Sequence, residues 1–329
     1  ITPQNELAEF MSRELPKIGG VYLQSDGENA AANMLLGGAV TGERVMTATS
    51  SPGFSLMHEA ISHIALMELP TVIVQVMRLG PGGGTGGQQG QTDYRPVTRG
   101  GGHGGYRNIV LAPYSVQELF DYTQLAFHLA DKYRILVIVL SDFILCRGSE
   151  PLEMRTLDLP PLPEKVWGLR GKAFKGGRCD HHFSALVQQE SVVDYFLRQE
   201  KKYSQITEAE IRFESYRIED AKLLLIAYGS SARAAKRAMS MAREKGLKVG
   251  MLRPISLWPF PEQAIREAAW KAGKVLVVED SGRQMVEDVE CAVQGRVPVH
   301  FLGIWGRHDK RAAGLIYPER ILQEVESLV

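Results

Sequence analysis

One carboxylate stands where a β-like run meets an alanine-rich helical pattern. The run is GVYLQ at 20–24, and Glu28 opens the helical stretch ENAAANMLLGG. An acid in the first turn of a helix is stabilised by the helix dipole, which is the structural interpretation of Glu28. In open α/β folds, ligands bind at the carboxyl ends of the parallel strands, which makes the same group a catalytic candidate. The stretch alone leaves both interpretations open.

A glycine-rich loop is the most unusual segment of the chain. It reads LGPGGGTGGQQGQTDYRPVTRGGGHGGY at 79–106 and directly follows a predicted strand. Glycines permit positive φ and close approach of backbone to a ligand. The loop matches neither the GxGxxG nor the GxxxxGK[ST] nucleotide-binding motif. Its composition fits a flexible surface loop and a ligand-covering loop equally, although loops of this length are more often functional or disordered than simple connections.

Side chains near this loop offer further chemistry. Arg78 ends the preceding strand, where it could bind a substrate carboxylate through two parallel hydrogen bonds or simply lie at the surface. His103 lies between glycines and could titrate near neutral pH, although such histidines are usually just exposed. Cys179, His181 and His182 fit no standard zinc spacing, so the sequence predicts no metal site.

Strand and helix signals alternate over two parts of the chain. Strands of the first part are predicted at 43–50, 70–77, 108–113 and 134–142, and helices at 53–68 and at 115–133, where Ser115 is the expected N-cap. In the second part, strands are predicted at 223–229, 247–254, 274–280 and 297–303, and helices at 230–246, 261–273 and 281–294. Near-continuous apolar strands separated by helices indicate parallel sheets covered on both faces.

This pattern predicts an α/β protein with two domains. The chain has 329 residues, enough for two separate cores. We expect a parallel-sheet domain at 1–150, a connecting arm at 151–220 and a smaller α/β domain at 221–329. The arm begins proline-rich and includes a charged helical stretch that is predicted to end near Tyr216.

Composition excludes several classes of function. Lys plus Arg and Asp plus Glu both number 38, so no charge imbalance indicates nucleic acid or an anionic membrane as a partner. The apolar runs are too short to span a bilayer. The three cysteines, Cys146, Cys179 and Cys291, are far apart in sequence, which argues against a disulfide framework and against cluster-binding motifs in this chain. A cytoplasmic location is expected.

Several stretches resemble a single family, and they occur along the chain in the order typical of that family. They are ITPQNELAEFM at 1–11, GENAAANMLLGGAVTGERVMTATSSPGFSLMHEAIS at 27–62, LPTVIVQVMRLGPG at 69–82, GGGHGGYRNIVLAPYSVQEL at 100–119 and LRPISLWPFP at 252–261. Together they resemble the α subunit of the 2-oxoacid:ferredoxin oxidoreductases. The glycine–histidine loop and LWPFP are most similar to the branched-chain (2-oxoisovalerate, 3-methyl-2-oxobutanoate) members, and the 2-oxoglutarate members come next.

The resemblance implies a thiamine diphosphate enzyme. Such enzymes decarboxylate a 2-oxoacid oxidatively to an acyl-CoA and reduce ferredoxin. The implied fold is a pyrimidine-type thiamine-diphosphate-binding domain followed by a transketolase C-terminal-like domain. No GDG followed by Asn at the family's distance occurs here, so the diphosphate and Mg²⁺ are expected on a β subunit. The family also implies γ and ferredoxin-like δ subunits with [4Fe-4S] clusters, in a dimer of hetero-oligomers.

The same resemblance assigns roles to individual residues. Glu28 matches the glutamate that hydrogen-bonds to the aminopyrimidine ring and activates the cofactor. Thr2 matches a threonine near the substrate's carbonyl and carboxylate, and Arg78 matches the arginine that pairs with that carboxylate. The TSSPG turn is expected to line the pyrimidine pocket through Ser50, Ser51, Pro52 and Gly53. Family members carry a further strand and a Gly-Tyr-Pro turn before ITP, so we expect a first strand to precede Ile1.

Other interpretations remain at this stage. The chain could serve a 2-oxoglutarate- or pyruvate-specific enzyme, a lipoamide-linked or transketolase-like thiamine enzyme, or a complex in which it is a non-catalytic assembly subunit. A partner with iron–sulfur clusters would indicate a ferredoxin-linked enzyme, and a partner with a lipoyl carrier would indicate a lipoamide-linked one. The preference for one 2-oxoacid rests on a few kcal/mol of packing, so the sequence does not determine it.

Overall fold

Two five-stranded sheets organise the described part of the chain. The structure is a computed structural model, and it describes residues 1–81, 88–169, 191–304 and 315–329. Its helices, numbered in chain order, are α1 (Asn5–Glu14), α2 (Glu28–Val40), α3 (Ser51–Leu66), α4 (Tyr94–Arg99), α5 (Val116–Tyr133), α6 (Phe143–Arg147), α7 (Val192–Ala209), α8 (Gly229–Glu244), α9 (Glu262–Ala272), α10 (Met285–Val293) and α11 (Pro318–Leu328). A short 3₁₀ helix covers Leu15–Ile18.

The first sheet has four parallel strands and one antiparallel edge strand. Its strands are β1 (Met46–Ser50), β2 (Thr71–Met77), β3 (Ile109–Leu111), β4 (Leu136–Asp142) and β8 (Ser256–Trp258). Their order is β1-β2-β4-β3-β8, with β8 antiparallel to β3. Because β1, β2 and β4 are parallel neighbours, the residues that follow them meet at one edge of the sheet.

The second sheet follows the same plan. Its strands are β5 (Phe213–Tyr216), β6 (Leu223–Ala227), β7 (Val249–Pro254), β9 (Val275–Val278) and β10 (Val299–Leu302). Their order is β10-β9-β6-β7-β5, and β5 is antiparallel to β7. Sheet membership therefore differs from the expected division of the chain. Strand β5 comes from the predicted arm, and β8, which follows β7, belongs to the first sheet.

Both faces of the first sheet are buried, as its apolar strands predict. On β2, Ile73 and Met77 point into a core that helices α2 and α3 share with the second sheet and with α9 and α10. Val72 and Val74 point the opposite way, into a core formed with α5 and α7. The alternation follows from the two-residue period of a strand. One core therefore runs from the first sheet to the second.

Two predicted elements differ from the structure. Gly20–Gln24 is not a strand: Val21 and Leu23 are exposed, and no partner strand pairs with this segment in the described chain. A strand needs a neighbour for its backbone groups, which the local sequence cannot supply. The charged helix of the arm ends at Ala209 rather than near Tyr216, because Phe213–Tyr216 pairs with β7 as β5.

The second half of the glycine-rich loop is packed, contrary to a flexible surface loop. Gln89, Gln91 and Asp93 are buried, and helix α4 follows them directly. Residues 82–87 lie outside the described part of the chain. Composition fitted a flexible loop and a ligand-covering loop equally, because glycine content does not reveal the buried partners that polar side chains in this stretch find.

Gln91 joins the loop to the second sheet. Its Nε2 donates to the carbonyl of Tyr228 at 3.0 Å, and its Oε1 accepts from Ser231 Oγ at 2.8 Å and from the backbone N–H of Asp280 at 2.9 Å. Its own N–H donates to the carbonyl of Asp280 at 2.7 Å. Gln91 is fully buried, so each of these bonds is made away from water.

Arg253 links the first sheet's helices to the second sheet. It is fully buried on β7, and its two terminal nitrogens donate to both carboxylate oxygens of Glu118 at 2.9 and 2.6 Å. Nη1 also donates to Glu214 at 2.9 Å, and the guanidinium lies 3.7 Å from the centroid of the Tyr114 ring. Glu118 lies in α5, whose N-cap Ser115 accepts from the Glu118 N–H at 3.1 Å as predicted.

None of the helices in the described part of the chain combines the length and the apolar character needed to cross a bilayer.

We expect Arg253→Met to lower the free energy of unfolding by about 3–5 kcal/mol, since it leaves the carboxylate of Glu118 without its buried partner. The matched control is Arg237→Ala, which removes an exposed arginine 3.8 Å from Glu244 and should cost less than about 1 kcal/mol. Denaturant unfolding of both variants measures the difference. Equal losses would show that the buried pair does not hold the two sheets together.

Candidate active site

The carboxyl edge of the first sheet gathers the residues that the sequence singled out. Glu28 begins α2, and its half-buried side chain lies against the first turn of α3. A Cβ placed on Gly53 would lie 2.6 Å from Glu28 Cγ, 2.9 Å from Glu28 Oε1 and 2.2 Å from Thr49 Oγ1. Only glycine fits there. The structure therefore brings Glu28 and the TSSPG turn together.

The TSSPG turn joins β1 to α3. Ser50 ends the strand and precedes the helix, and Pro52 occupies the first turn, where its missing N–H costs nothing. The Ser50 hydroxyl is buried and has no hydrogen-bond partner among the described residues. Ser51 points elsewhere: its Oγ accepts from the N–H of Arg78 at 3.4 Å.

Arg78 follows β2 and is almost fully buried. Its Nη1 donates to the carbonyl of Thr2 at 3.0 Å, so the structure places these two predicted substrate-binding residues side by side. Its Nε is buried without a hydrogen-bond partner in the described chain. A buried donor of this kind costs free energy unless a ligand satisfies it, which favours a binding role over that of a surface arginine.

Asp93 is a member of this site that the sequence analysis missed. It accepts hydrogen bonds from the Ser51 hydroxyl and, at 3.1 Å, from Gln75 Nε2. Although Asp93 is the N-cap residue of α4, its side chain makes no capping bond. Burial raises the pKa of Asp93 to about 6, against the opposing effects of those hydrogen bonds and of the Arg78 charge. The sequence feature that could have indicated Asp93 is that it is the one acidic residue between 79 and 106.

Thr92 fixes the position of Asp93 relative to Arg78. Its Oγ1 donates to the Arg78 carbonyl at 2.8 Å and accepts from the N–H of Gly80 at 2.9 Å. The carbonyl of Thr92 accepts from Gln284 Nε2 at 2.7 Å. The segment after the glycine run is thus tied to the end of β2 and to the second domain at once.

Two family descriptions match successive parts of the chain. Residues 1–217 match "Pyruvate flavodoxin/ferredoxin oxidoreductase, thiamine diP-bdg", and residues 221–313 match "Pyruvate:ferredoxin oxidoreductase core domain II". The chain belongs to the 2-oxoacid:ferredoxin oxidoreductase family. The resemblance and the α/β fold class predicted from the sequence are therefore confirmed.

Relatives in this family follow the expected order of similarity. The ketoisovalerate oxidoreductase subunit VorB of Methanothermobacter marburgensis is 45% identical over 292 residues, which are 89% of this chain and 82% of that protein. The 2-oxoglutarate synthase subunit KorA of Archaeoglobus fulgidus is 36% identical over 338 residues, 99% of this chain and 91% of that protein. The chain is thus similar to named subunits of 2-oxoacid oxidoreductases.

Solved structures agree on the fold. The 2-oxoglutarate:ferredoxin oxidoreductase of Magnetococcus marinus, solved with 2-oxoglutarate, coenzyme A and succinyl-CoA bound, is 26% identical with a TM-score of 0.82. The match covers 99% of this chain, which spans 60% of the length of that one. A split-gene transketolase matches with a TM-score of 0.57 at 12% identity and supports the fold alone.

The side chains present fit the aminopyrimidine ring of thiamine diphosphate. Glu28 offers a half-buried carboxylate at the start of α2, and the Ser50 hydroxyl is buried with no partner in the described chain. Ser51 and Gly53 stand on either side of the turn, facing Arg78 and Glu28 respectively. Cys179, His181 and His182 lie outside the described residues.

Gly53→Ala should destabilise the chain by about 1–3 kcal/mol, because the added methyl overlaps Glu28 and Thr49. The control is Gly37→Ala in α2, where a Cβ meets nothing within 4 Å. That change should be neutral or stabilise by about 0.4–1 kcal/mol, since it restricts the unfolded chain. Thermal unfolding of the two variants measures both effects. Indistinguishable variants would mean that Glu28 does not occupy the space above Gly53.

We expect Asp93→Asn to change the pH dependence of stability. The pKa of Asp93 is raised to about 6, so the folded chain binds this proton more tightly than the unfolded chain does. The stability that this proton contributes is complete below the unfolded value of 3.8 and is lost as pH rises through about 6, a change of about 3 kcal/mol. Asn does not titrate, so the wild type should lose stability relative to the variant over that range.

Urea unfolding from pH 4 to 7 measures this difference. The control is Asp220→Asn, an exposed aspartate whose pKa is lowered by the hydrogen bond from Arg243. Its contribution has the opposite sign and is lost as pH falls toward and below the unfolded value of 3.8, so its difference from wild type should be flat above about pH 5. A flat difference for Asp93→Asn as well would contradict the raised pKa.

Proposed function

We propose that this chain provides the aminopyrimidine-binding half of a thiamine diphosphate site in an oxidoreductase for branched-chain 2-oxoacids such as 3-methyl-2-oxobutanoate. The reaction is the oxidative decarboxylation of the 2-oxoacid to an acyl-CoA, with ferredoxin as electron acceptor. A cytoplasmic location, where CoA and ferredoxin occur, belongs to the same proposal. One observation carries it: the carboxylate of Glu28 lies against Gly53 at the carboxyl edge of the first sheet.

Glu28 would act on the cofactor. Thiamine diphosphate, when bound, supplies the nucleophilic carbon and the electron sink for decarboxylation. The Glu28 carboxyl would share a proton with a nitrogen of the aminopyrimidine ring, and the Ser50 hydroxyl would gain its missing partner there. Gly53 would let the Glu28 side chain lie against the first turn of α3, since a Cβ there would overlap Glu28.

Arg78 and Thr2 would bind the substrate. The Arg78 guanidinium is buried and already oriented by the carbonyl of Thr2, so it need not be ordered when a carboxylate arrives. Its partnerless Nε is the donor through which it would bind that carboxylate. Asp93, near Ser51 and the Arg78 charge, would hold this part of the site in place.

Partner subunits complete the proposal. A β subunit would carry the diphosphate and Mg²⁺, since the motif for them is absent from this sequence. The γ and ferredoxin-like δ subunits would supply the [4Fe-4S] clusters, within a dimer of hetero-oligomers. Support comes from the relatives, which are named as subunits of ketoisovalerate and 2-oxoglutarate enzymes. A 2-oxoglutarate enzyme is the alternative, favoured by the solved relative that contains 2-oxoglutarate.

Glu28→Gln tests the proposal. The amide keeps the size of the side chain but cannot share the proton, so decarboxylation by the assembled enzyme should fall by about 10²–10⁴-fold. Glu43→Gln, an exposed glutamate beyond α2, is the control and should retain activity. Assembly is followed by co-purification with thiamine and iron analysis, and activity is assayed with 3-methyl-2-oxobutanoate, 2-oxoglutarate and pyruvate.

Each outcome bears on a separate part of the proposal. Normal turnover by Glu28→Gln would show that another carboxylate acts on the cofactor. A higher kcat/KM for 2-oxoglutarate than for 3-methyl-2-oxobutanoate would show that 2-oxoglutarate is the substrate instead. Partners that carry lipoyl groups rather than iron–sulfur clusters would show that ferredoxin is not the electron acceptor.

A further inference from the structure

Three side chains with metal-binding groups converge away from the thiamine site. Glu59 and His63 are one turn apart on α3, and His63 Nε2 lies 3.1 Å from Glu59 Oε1. His103, from the loop after α4, brings its Nε2 to 3.1 Å from Glu59 Oε2. All three ligand atoms lie within 4.8 Å of one another. The sequence analysis missed this group because His103 is far from the other two along the chain.

The loop that carries His103 is held against α3. The N–H of His103 donates to Ser62 Oγ at 3.0 Å. A Cβ on Gly101 would lie 2.1 Å from His58 Nδ1, and one on Gly102 would lie 2.1 Å from Ser62 Oγ. Both positions therefore require glycine, and Gly102 also has a φ of +57°. This close contact fixes the backbone of His103 before any ligand binds.

The ligand set suits Zn²⁺. Zinc binds imidazole nitrogen and carboxylate oxygen at about 2.0–2.2 Å, and two histidines with one glutamate form a known zinc-binding set. Two ligands at such distances in a tetrahedron are about 3.3–3.4 Å apart, close to the separations of Glu59 from His63 and from His103. A magnesium or calcium ion prefers a shell of oxygen ligands, and this group offers oxygen only from Glu59.

We propose that Glu59, His63 and His103 bind one Zn²⁺ ion, with water in the fourth position. The ion would connect α3 to the loop that follows α4. The first residue of α3 already meets the residue before α4, where the Ser51 hydroxyl bonds to Asp93. Zinc would thus add a second connection between α3 and the segment that contains α4 and the loop after it, and it would stabilise the folded chain by binding it in preference to the unfolded one.

Zinc binding to the full-length chain tests the proposal. Equilibrium dialysis against Zn²⁺ at pH 7.5, with metal analysis by mass spectrometry, should give one ion per chain. All proteins compared carry Cys179→Ala, His181→Ala and His182→Ala. These substitutions remove the other metal-binding side chains that are close to one another in the sequence. In this background, His103→Ala and Glu59→Gln should each weaken binding by at least about tenfold, as loss of even an outer-shell group does. His300→Ala, on β10, is the control and should bind like the background protein.

Zinc X-ray absorption provides a second measurement that does not depend on variants. Two imidazoles and oxygen ligands are expected. Either of two results would overturn the proposal: equal affinity in the background protein and in both cluster variants, or a coordination shell that contains sulfur or no imidazole. The side chains of Glu59 and His103 are exposed, so circular dichroism should show both variants folded.

Discussion

The buried amide of Gln91 is the interaction on which the arrangement of the candidate active site depends. It uses both its side-chain groups and its own N–H on the second domain. The next residue, Thr92, is bonded to the end of β2, and Asp93 reaches Ser51 at the end of β1. Three consecutive residues therefore connect the second sheet to two strands of the first. A shift of the second domain would be transmitted directly to Arg78.

This arrangement places a buried cation close to a buried acid. Arg78 is a buried cation whose Nε lacks a partner in the described chain, and Asp93 is a buried acid whose proton is held more tightly than usual. Neither is neutralised by a direct ion pair with the other. A site kept in this state favours an anionic ligand, because the ligand's charge would satisfy the arginine that the protein leaves incompletely bonded.

The sequence predicts those features that depend on local pattern. Strand β2 is recognisable because both its faces are buried, which makes it continuously apolar, and Ser115 is recognisable as a cap from its place before α5. The role proposed for Glu28 rests on the surrounding family resemblance and not on the local pattern. The contacts of Gln91 and Asp93 were not predictable, since their partners are distant in sequence and the composition of the loop fitted a flexible and a ligand-covering loop equally. The strand predicted at GVYLQ is absent for a related reason. A β-like run indicates a possible strand, but the local sequence supplies no partner strand.

The placement of β8 has a consequence for synthesis of the chain. Strand β3 pairs on one side with β4 and on the other with β8, which follows β7 of the second sheet. A ribosome releases the amino end first, so the outer backbone groups of β3 have no strand to pair with until Trp258 emerges. By then β5, β6 and β7 have also been made. An open strand edge invites pairing with other chains. The first sheet is complete only after most of the second sheet has been made, so the first domain cannot finish folding before synthesis of the second is well advanced.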